Sequence, residues 1–331
     1  MTELPIVDIS DLVSNNRARR VAVARALDAA CRDVGFLYIR GCQLDWSLFA
    51  RLRERARAFF ALDSAIKMES YIGRSSNHSG YVPVGEEQFG SGTADLKEAF
   101  DINLDYLSEA GRRPLLGPNS WPTMNGFRDD ALAYYGHVAD IGRQLFRGFA
   151  LALGIDEDHF ESCRVNPPSQ LRLIHYPCDP DAVDRPGIGA HTDYECFTLL
   201  FATAPGLQIV DRTGQWADVP LLEETMIMNI GDMMEIMSNG RYVATRHRVK
   251  AVAEERYSFP MFHACDYDHV IAPVAGGEAP RYRPVVGGEH LFNQTAQTFA
   301  YLKQRMEAGE LVLRDAMPLH SFGQAEADAD A

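Results

Sequence analysis

From residue 166 to about residue 275 the chain is a succession of short segments, QLRLIHYP, CFTLLFA, GLQIVD, WADVP, TMIMNIG, RYVATRHRV and RYSFPMFH. Each alternates or is rich in β-branched and aromatic residues, and Gly, Pro, Asn or Asp separates one from the next. A strand turns successive side chains to opposite faces, so segments this short bury their apolar face only by layering against one another. That restricts the region to an antiparallel sandwich or barrel.

Residues 1–165 have a different texture. After a strand-like PIVDIS, the stretch RRVAVARALDAACRDVG (19–35) places Val21, Ala24, Leu27, Ala30 and Val34 on one helical face. Gly35 stands where a helix cap is expected, and FLYIR follows as a short strand. Helices are expected over 46–61 and from Phe127 to Leu153, the latter ended by Gly154. The polar, glycine-rich segment 75–96 reads as a long irregular loop, either a functional lid or a connection. Residues 289–309 return to a helical period, and the tail QAEADADA reads as frayed. The expectation is one integrated α+β domain. Residues 1–165 form a mainly helical region packed on a 166–275 β core, and 276–331 supply a C-terminal helix and tail.

Composition narrows the function. A formal charge of −14 over 331 residues argues against a nucleic-acid partner, which demands clustered Lys and Arg. The arginines of RLRERARAF (51–59) alternate with Glu54 and apolar residues at helical spacing, as on a solvated helix face. No apolar run approaches the ~20 residues that span a bilayer. The N-terminus lacks the basic and apolar regions of a signal peptide. Cys31, Cys42, Cys163, Cys178, Cys196 and Cys265 form no CxxC pair. Free thiols and a cytoplasmic location are expected.

The chemistry-bearing residues lie in the β region. His191 and Asp193, in RPGIGAHTDYECFTLLF (185–201), are two apart and share a strand face. Alone, the pair is as readily a surface histidine beside a turn aspartate. His247, in RYVATRHRVK, lies 54 residues beyond Asp193. Two imidazoles and one carboxylate form the ligand set that leaves non-haem iron(II) three open positions, whereas structural zinc takes thiolates. The other pairs, HFE (159–161) and DYDH (266–269), sit in polar, turn-like surroundings and read as surface features. Arg256, nine residues after His247, shares a face with Ser258. An interior guanidinium requires an anion, and no acidic residue flanks it on that face, so a ligand carboxylate fits. A solvent-facing arginine is the alternative. In QLRLIHYPCDP (170–180), Arg172, Ile174 and Tyr176 share one face, with Leu171, Leu173 and His175 on the other. The Tyr176 hydroxyl either donates to a bound carboxylate or caps the core in water. Arg172 either meets the substrate or forms a structural salt bridge.

HTD, then HRV nine residues before RxS, with an upstream YP, resembles the isopenicillin N synthase-like family of iron(II)/2-oxoglutarate dioxygenases. PIVDIS, DVGFLYI, SGYVPVGEE, LKEAFD, GLQIVDRTGQWADVP, MNIGDMMEIMSNGRYVATRHRV and RYSFPMF fall in the expected order, so the resemblance covers nearly the whole chain. It implies a double-stranded β-helix (jelly roll) core flanked by N-terminal helices and a C-terminal helix. It also implies iron(II) on His191, Asp193 and His247, and 2-oxoglutarate on Arg256 and Ser258, with Tyr176 beside it. O2 is the co-reactant, and a small molecule is oxidised, mainly by hydroxylation, with release of succinate and CO2. The chemistry is centred on iron, with no separate acid or base. Arg172, Tyr81, Tyr194, Phe262 and His263 are the expected substrate contacts. Departures stand out: IHYP replaces NYYP, leaving His175 without a role, and His263 and Cys265 follow RxS where two aromatics and a proline are usual. Tyr194, Glu195 and Cys196 stand where many relatives carry a glycine and a small polar residue. Two rival readings remain open. One is an oxidase or cyclase like isopenicillin N synthase itself, whose Arg/Ser pair binds a substrate carboxylate. The other is a non-catalytic jelly-roll metal-binding module.

Overall fold

Side-chain alternation along the strands decides what each sheet faces. The computed structural model describes residues 4–89, 95–105, 113–177, 187–250, 254–274 and 279–322. Its strands are β1 (Ile6–Asp8), β2 (Phe36–Arg40), β3 (Gly80–Val82), β4 (Glu98–Asn103), β5 (Gln170–Tyr176), β6 (Ile188–His191), β7 (Phe197–Ala202), β8 (Leu207–Val210), β9 (Trp216–Asp218), β10 (Met226–Ile230), β11 (His247–Val249), β12 (Arg256–His263), β13 (Val270–Ile271) and β14 (Val285–Val286). An eight-stranded sheet runs β1-β2-β10-β7-β12-β5-β4-β3, parallel only at β1/β2. A four-stranded sheet runs β6-β11-β8-β9, and β13 pairs with β14.

The helices are α1 (Arg17–Cys31), α2 (Trp46–Phe60), α3 (Ser64–Lys67), α4 (Phe127–Leu153), α5 (Asp232–Met237), α6 (Gly287–Ala296) and α7 (Ala300–Glu307). On β5, β7 and β12, Leu171, Leu173, Phe197, Leu199, Tyr257, Phe259 and Met261 join one apolar core with Leu27, Phe59, Tyr134, Phe146 and Phe149 from α1, α2 and α4. The alternate residues, Ile174, Tyr176, Thr198, Leu200, Ser258 and Pro260, line a cavity together with Ile188, His191, Leu207, His247 and Val249 of the smaller sheet. Period-two alternation thus gives the large sheet one face for the helices and one for a chamber between the sheets. This is the jelly-roll arrangement, with helices from both ends of the chain around it.

Several elements differ from the sequence expectation. The N-terminal region contributes β1 to β4 to the large sheet, besides its helices. Helix α1 stops at Cys31, four residues before Gly35. Gly35 instead has φ +66 in the turn into β2, where an added Cβ would lie 2.0 Å from the Val243 carbonyl oxygen. The expected 289–309 helix is broken between α6 and α7, where Gln88 N–H donates to the Thr298 carbonyl at 3.0 Å. The loop expected over 75–96 is packed through much of its length: Ser75, Asn77, His78 and Ser79 are buried and Gly80–Val82 is a strand. Residues 90–94, Cys178 and the tail QAEADADA lie outside the described residues. Among the described residues, no helix is long and apolar enough to cross a membrane.

Candidate active site

His191 ends β6 and is the register partner of His247 at the start of β11. Their Nε2 atoms lie 3.7 and 3.4 Å from Asp193 Oδ1. Each Nδ1 faces a main-chain carbonyl, Gly189 at 2.8 Å for His191 and Thr245 at 3.1 Å for His247. A carbonyl only accepts, so Nδ1 carries a proton and Nε2 is the atom left for a metal. Asp193 is oriented in the same way. Its Oδ2 accepts from the Thr198 hydroxyl and from the Asn229 side-chain amide at 2.6 Å, which leaves Oδ1 toward the imidazoles. Burial, with His247 as neighbour, pulls the His191 imidazole down to about 3, so it is neutral at ordinary pH. Burial opposes ionisation of Asp193, but the adjacent imidazoles outweigh it and hold the carboxyl well below its ordinary range. Burial opposes a proton on His247, but Asp193 outweighs it and holds that imidazole above its ordinary value, so a metal would displace a proton there. Two imidazole nitrogens and one carboxylate oxygen, all within 4.8 Å of one another, fit iron(II).

The turn carrying Asp193 is fixed by the start of α5. Gly231, Asp232 and Met233 N–H donate to the carbonyls of Cys196, Asp193 and Glu195 at 3.0, 2.9 and 3.1 Å. A Cβ on Gly231 would lie 2.3 Å from the Glu195 carbonyl oxygen, so only glycine allows this approach.

Two chambers meet at the triad, sharing Phe89, Arg172, His191, Asp193 and Phe262. Beside Tyr176, which lines the inter-sheet chamber, its register partner Arg256 is 1% exposed. Its guanidinium lies 4.6 Å over the Tyr176 ring, and Nε donates to the Ala204 carbonyl at 3.0 Å. Among the described residues Nη1 has no partner. The Ser258 and Tyr176 hydroxyls are 3.4 Å apart. A buried guanidinium whose Nη1 has no partner among the described residues has the chemistry to receive a carboxylate.

The second chamber is lined on its polar side by His78, Glu87, Asn103, Gln170, Glu195, Thr295 and Thr298. Here several expected contacts separate. Tyr194 and Phe262 line the chamber. Arg172 also reaches it, but its charge is committed within the protein: to Asp101 at 2.8 and 3.2 Å and to Glu87 at 3.0 and 3.2 Å. Lys97 pairs with Glu87 from the other side. Tyr81 lines neither chamber; its hydroxyl donates to Glu98 at 2.6 Å, drawn there by the buried Lys67–Glu98 pair. His263 lines neither chamber either. It stacks on Phe197 at 4.8 Å against α4, where Gly142 leaves room for the ring. His175, on the opposite strand face from Tyr176, bonds Glu98 and Glu255 at 2.8 and 3.0 Å and belongs to that same ionic cluster.

Glu195 is 6% exposed and lines the second chamber. Among the described residues no cation pairs with it, and burial together with Asp193 pushes its carboxyl up to about 8. Residues that sequence reasoning missed are Thr198, Asn229 and Phe89, whose ring stacks on His191 at 4.4 Å. Asn229 had a signal: it is the polar residue in the apolar strand MIMNI.

The chain matches two family models, the non-haem dioxygenase in morphine synthesis N-terminal model over residues 4–124 and the 2OG-Fe(II) oxygenase superfamily model over 167–264. It is 31% identical to the 2-oxoglutarate-Fe(II) type oxidoreductase hxnY of Emericella nidulans, over 99% of this chain and 98% of that protein. It is 33% identical to the homoarginine-6-hydroxylase 2-ODD-233 of Oryza sativa subsp. japonica, over 89% and 97%. Among solved structures, a full-length Neurospora crassa protein in complex with alpha-KG superposes with a TM-score of 0.79 at 25% identity, covering 88% of this chain and 96% of that one. The same Neurospora protein solved with alpha-KG and 5-formyluracil gives 0.76 at 25% identity, covering 88% and 95%.

Removing the Asn229 amide frees the Asp193 carboxylate to rotate. Asn229→Ala is expected to weaken iron(II) binding about 10- to 100-fold, measured by anaerobic titration, with the fold retained by circular dichroism.

Proposed function

Because the chain belongs to the 2OG-Fe(II) oxygenase superfamily, whose members work with iron(II), 2-oxoglutarate and O2, we propose that His191, Asp193 and His247 hold its iron and that Arg256, Ser258 and Tyr176 hold the far carboxylate of 2-oxoglutarate. The protein is an iron(II)- and 2-oxoglutarate-dependent oxygenase. When bound, iron and the cosubstrate supply the oxidation, with O2 consumed and succinate and CO2 released. The observation that carries the cosubstrate assignment is the buried Arg256 guanidinium, without a partner at Nη1 among the described residues and packed on Tyr176, which with Ser258 lines the chamber that ends at the triad.

The chain's own work is positioning. Main-chain carbonyls aim both imidazoles, Thr198 and Asn229 aim the carboxylate, and Arg256 fixes the distance of the cosubstrate from them. Ile174, Ile188, Leu200, Leu207 and Val249 keep that chamber apolar, which strengthens the Arg256 ion pair. Because the second chamber adjoins the triad from another side, cosubstrate and substrate occupy separate spaces. That separation supports the 2-oxoglutarate reading over an oxidase in which Arg256 would bind the substrate itself.

The substrate belongs in the second chamber and is a small molecule that presents N–H donors. Arg172 is neutralised by Asp101 and Glu87, so it is not free for a substrate carboxylate. Glu195, without a cationic partner among the described residues, is instead the group left to receive an ammonium, a guanidinium or the N–H of a ring; burial and Asp193 hold it up to about 8, and a bound cation would draw it back to the ionised, accepting form. Two relatives are consistent with this chemistry by name, one a homoarginine hydroxylase and one solved with 5-formyluracil.

The test is a substrate screen scored by succinate release, run with two variants. Arg256→Leu should raise the KM for 2-oxoglutarate about thirtyfold or more, the cost of removing one partner of a buried charge pair. An unchanged KM would overturn the cosubstrate assignment. Glu195→Gln should lower kcat/KM for a cationic or N–H-bearing substrate about tenfold while leaving the KM for 2-oxoglutarate unchanged. Equal kcat/KM in both proteins removes the substrate reading and leaves the Arg256 assignment standing.

A further inference from the structure

Outside both chambers, two thiols and an imidazole converge from three separate segments. Cys163 closes the short helical turn Glu161–Cys163, Cys265 follows β12, and His269 precedes β13. Their ligand atoms all lie within 4.8 Å of one another, and the two Sγ atoms are 3.5 Å apart. The segments are tied together independently of these side chains. Asp266 N–H donates to the Cys163 carbonyl at 2.6 Å, and the Asp266 carboxylate accepts from Val165 and Asn166 N–H at 3.1 and 2.7 Å. His269 N–H then donates to the Asp266 carbonyl at 2.9 Å, closing the turn.

We infer that Cys163, Cys265 and His269 form a second metal site, selective for a thiophilic dication of the zinc or cadmium kind and distinct from the iron site. Zinc–sulfur bonds of about 2.3 Å in a tetrahedron set sulfurs roughly 3.8 Å apart, so the observed spacing needs only a few tenths of an ångström of adjustment. Cys196 Sγ is 3.8 Å from Cys265 and is available to turn toward the fourth position, which water otherwise fills. Both cysteines are buried while His269 is half-buried, so the imidazole side is the way in. Buried thiols alone behave as small apolar groups, and that plain role explains two adjacent cysteines. It does not explain an imidazole brought to the same point on a clamped turn.

Charge supports the same reading. Two thiolates neutralise a dication, so the loaded site buries little net charge. Arg164, whose Nε has no partner among the described residues, offers a balancing cation if Cys196 joins as a third thiolate. The donor sets of the two sites divide the metals: sulfur with nitrogen here, nitrogen with oxygen at His191, Asp193 and His247. No redox step is involved. Each thiol releases a proton as its metal–sulfur bond forms, so two protons leave per ion and affinity rises with pH.

The test uses the full chain, reduced and chelator-treated under anaerobic conditions and titrated with Cd2+. The iron site holds no sulfur, so a thiolate-to-metal charge-transfer band in the near ultraviolet reports thiolate coordination and not the iron site, and the cysteine variants assign it. The band should saturate at one equivalent, disappear in Cys163→Ser and Cys265→Ser, and persist in Cys42→Ser. His269→Ala, a change at a half-buried turn that leaves the core intact, should weaken Cd2+ binding at least tenfold even if the cysteine variants fail to fold. Wild-type protein with no such band overturns the inference, as does a band indifferent to His269→Ala. Loss of two protons' mass to a Cys163–Cys265 disulfide in air, without metal uptake by the reduced protein, would make the pair a redox couple instead.

Discussion

Asp193 is gripped from behind by Thr198 and Asn229 while its other oxygen faces two imidazoles, and much of the molecule serves that arrangement. Thr198 lies on β7 and Asn229 on β10, adjacent strands of the large sheet, whereas both histidines belong to the smaller sheet. The carboxylate is therefore the point at which the two sheets are joined chemically. The start of α5 bonds the turn from Asp193 to Cys196 and prevents it from swinging away. A carboxylate buried this deeply is costly to ionise unless its oxygens are all engaged. Hydrogen bonds satisfy one oxygen, and the imidazoles or a metal satisfy the other.

The same logic explains the two arginines, which face opposite fates. Arg172 and Arg256 sit on adjacent antiparallel strands, β5 and β12, and both are buried. Arg172 is matched by Asp101 across the β4–β5 pair and by Glu87, so it stiffens the wall between the chambers. Arg256 has a carbonyl, an aromatic face and two hydroxyls around it, but no carboxylate among the described residues. The protein completes one ion pair itself and leaves the other for a ligand.

Strand alternation was legible in the sequence because period two survives in short segments. It placed Tyr176, Arg172 and Ser258 on the face that lines the inter-sheet chamber, whereas His191 and Asp193 do not share a strand face: β6 ends at His191, and the turn held by the start of α5 brings Asp193 to the imidazoles. Partners distant in sequence were not legible. That Arg172 would meet Asp101 and Glu87, or that Tyr81 would turn to Glu98, depends on partners some 17 to 85 residues away, which local spacing does not encode. His263 went astray for a related reason: a glycine in the facing helix, Gly142, opened a slot on the other face of its strand. The DYDH turn read as surface because Cys163 is remote in sequence and reaches His269 only in the folded chain.

The central claim is that Asp193 and its two imidazoles hold iron(II). It is tested most directly by anaerobic titration of iron(II) into the wild-type protein and into Asp193→Asn, which keeps the size of the side chain and one accepting oxygen for Thr198 and Asn229 but removes its charge. The account predicts one tight equivalent in the wild type and a loss of affinity of at least a hundredfold in the variant, with both proteins equally folded. Equal iron binding by the two would contradict it.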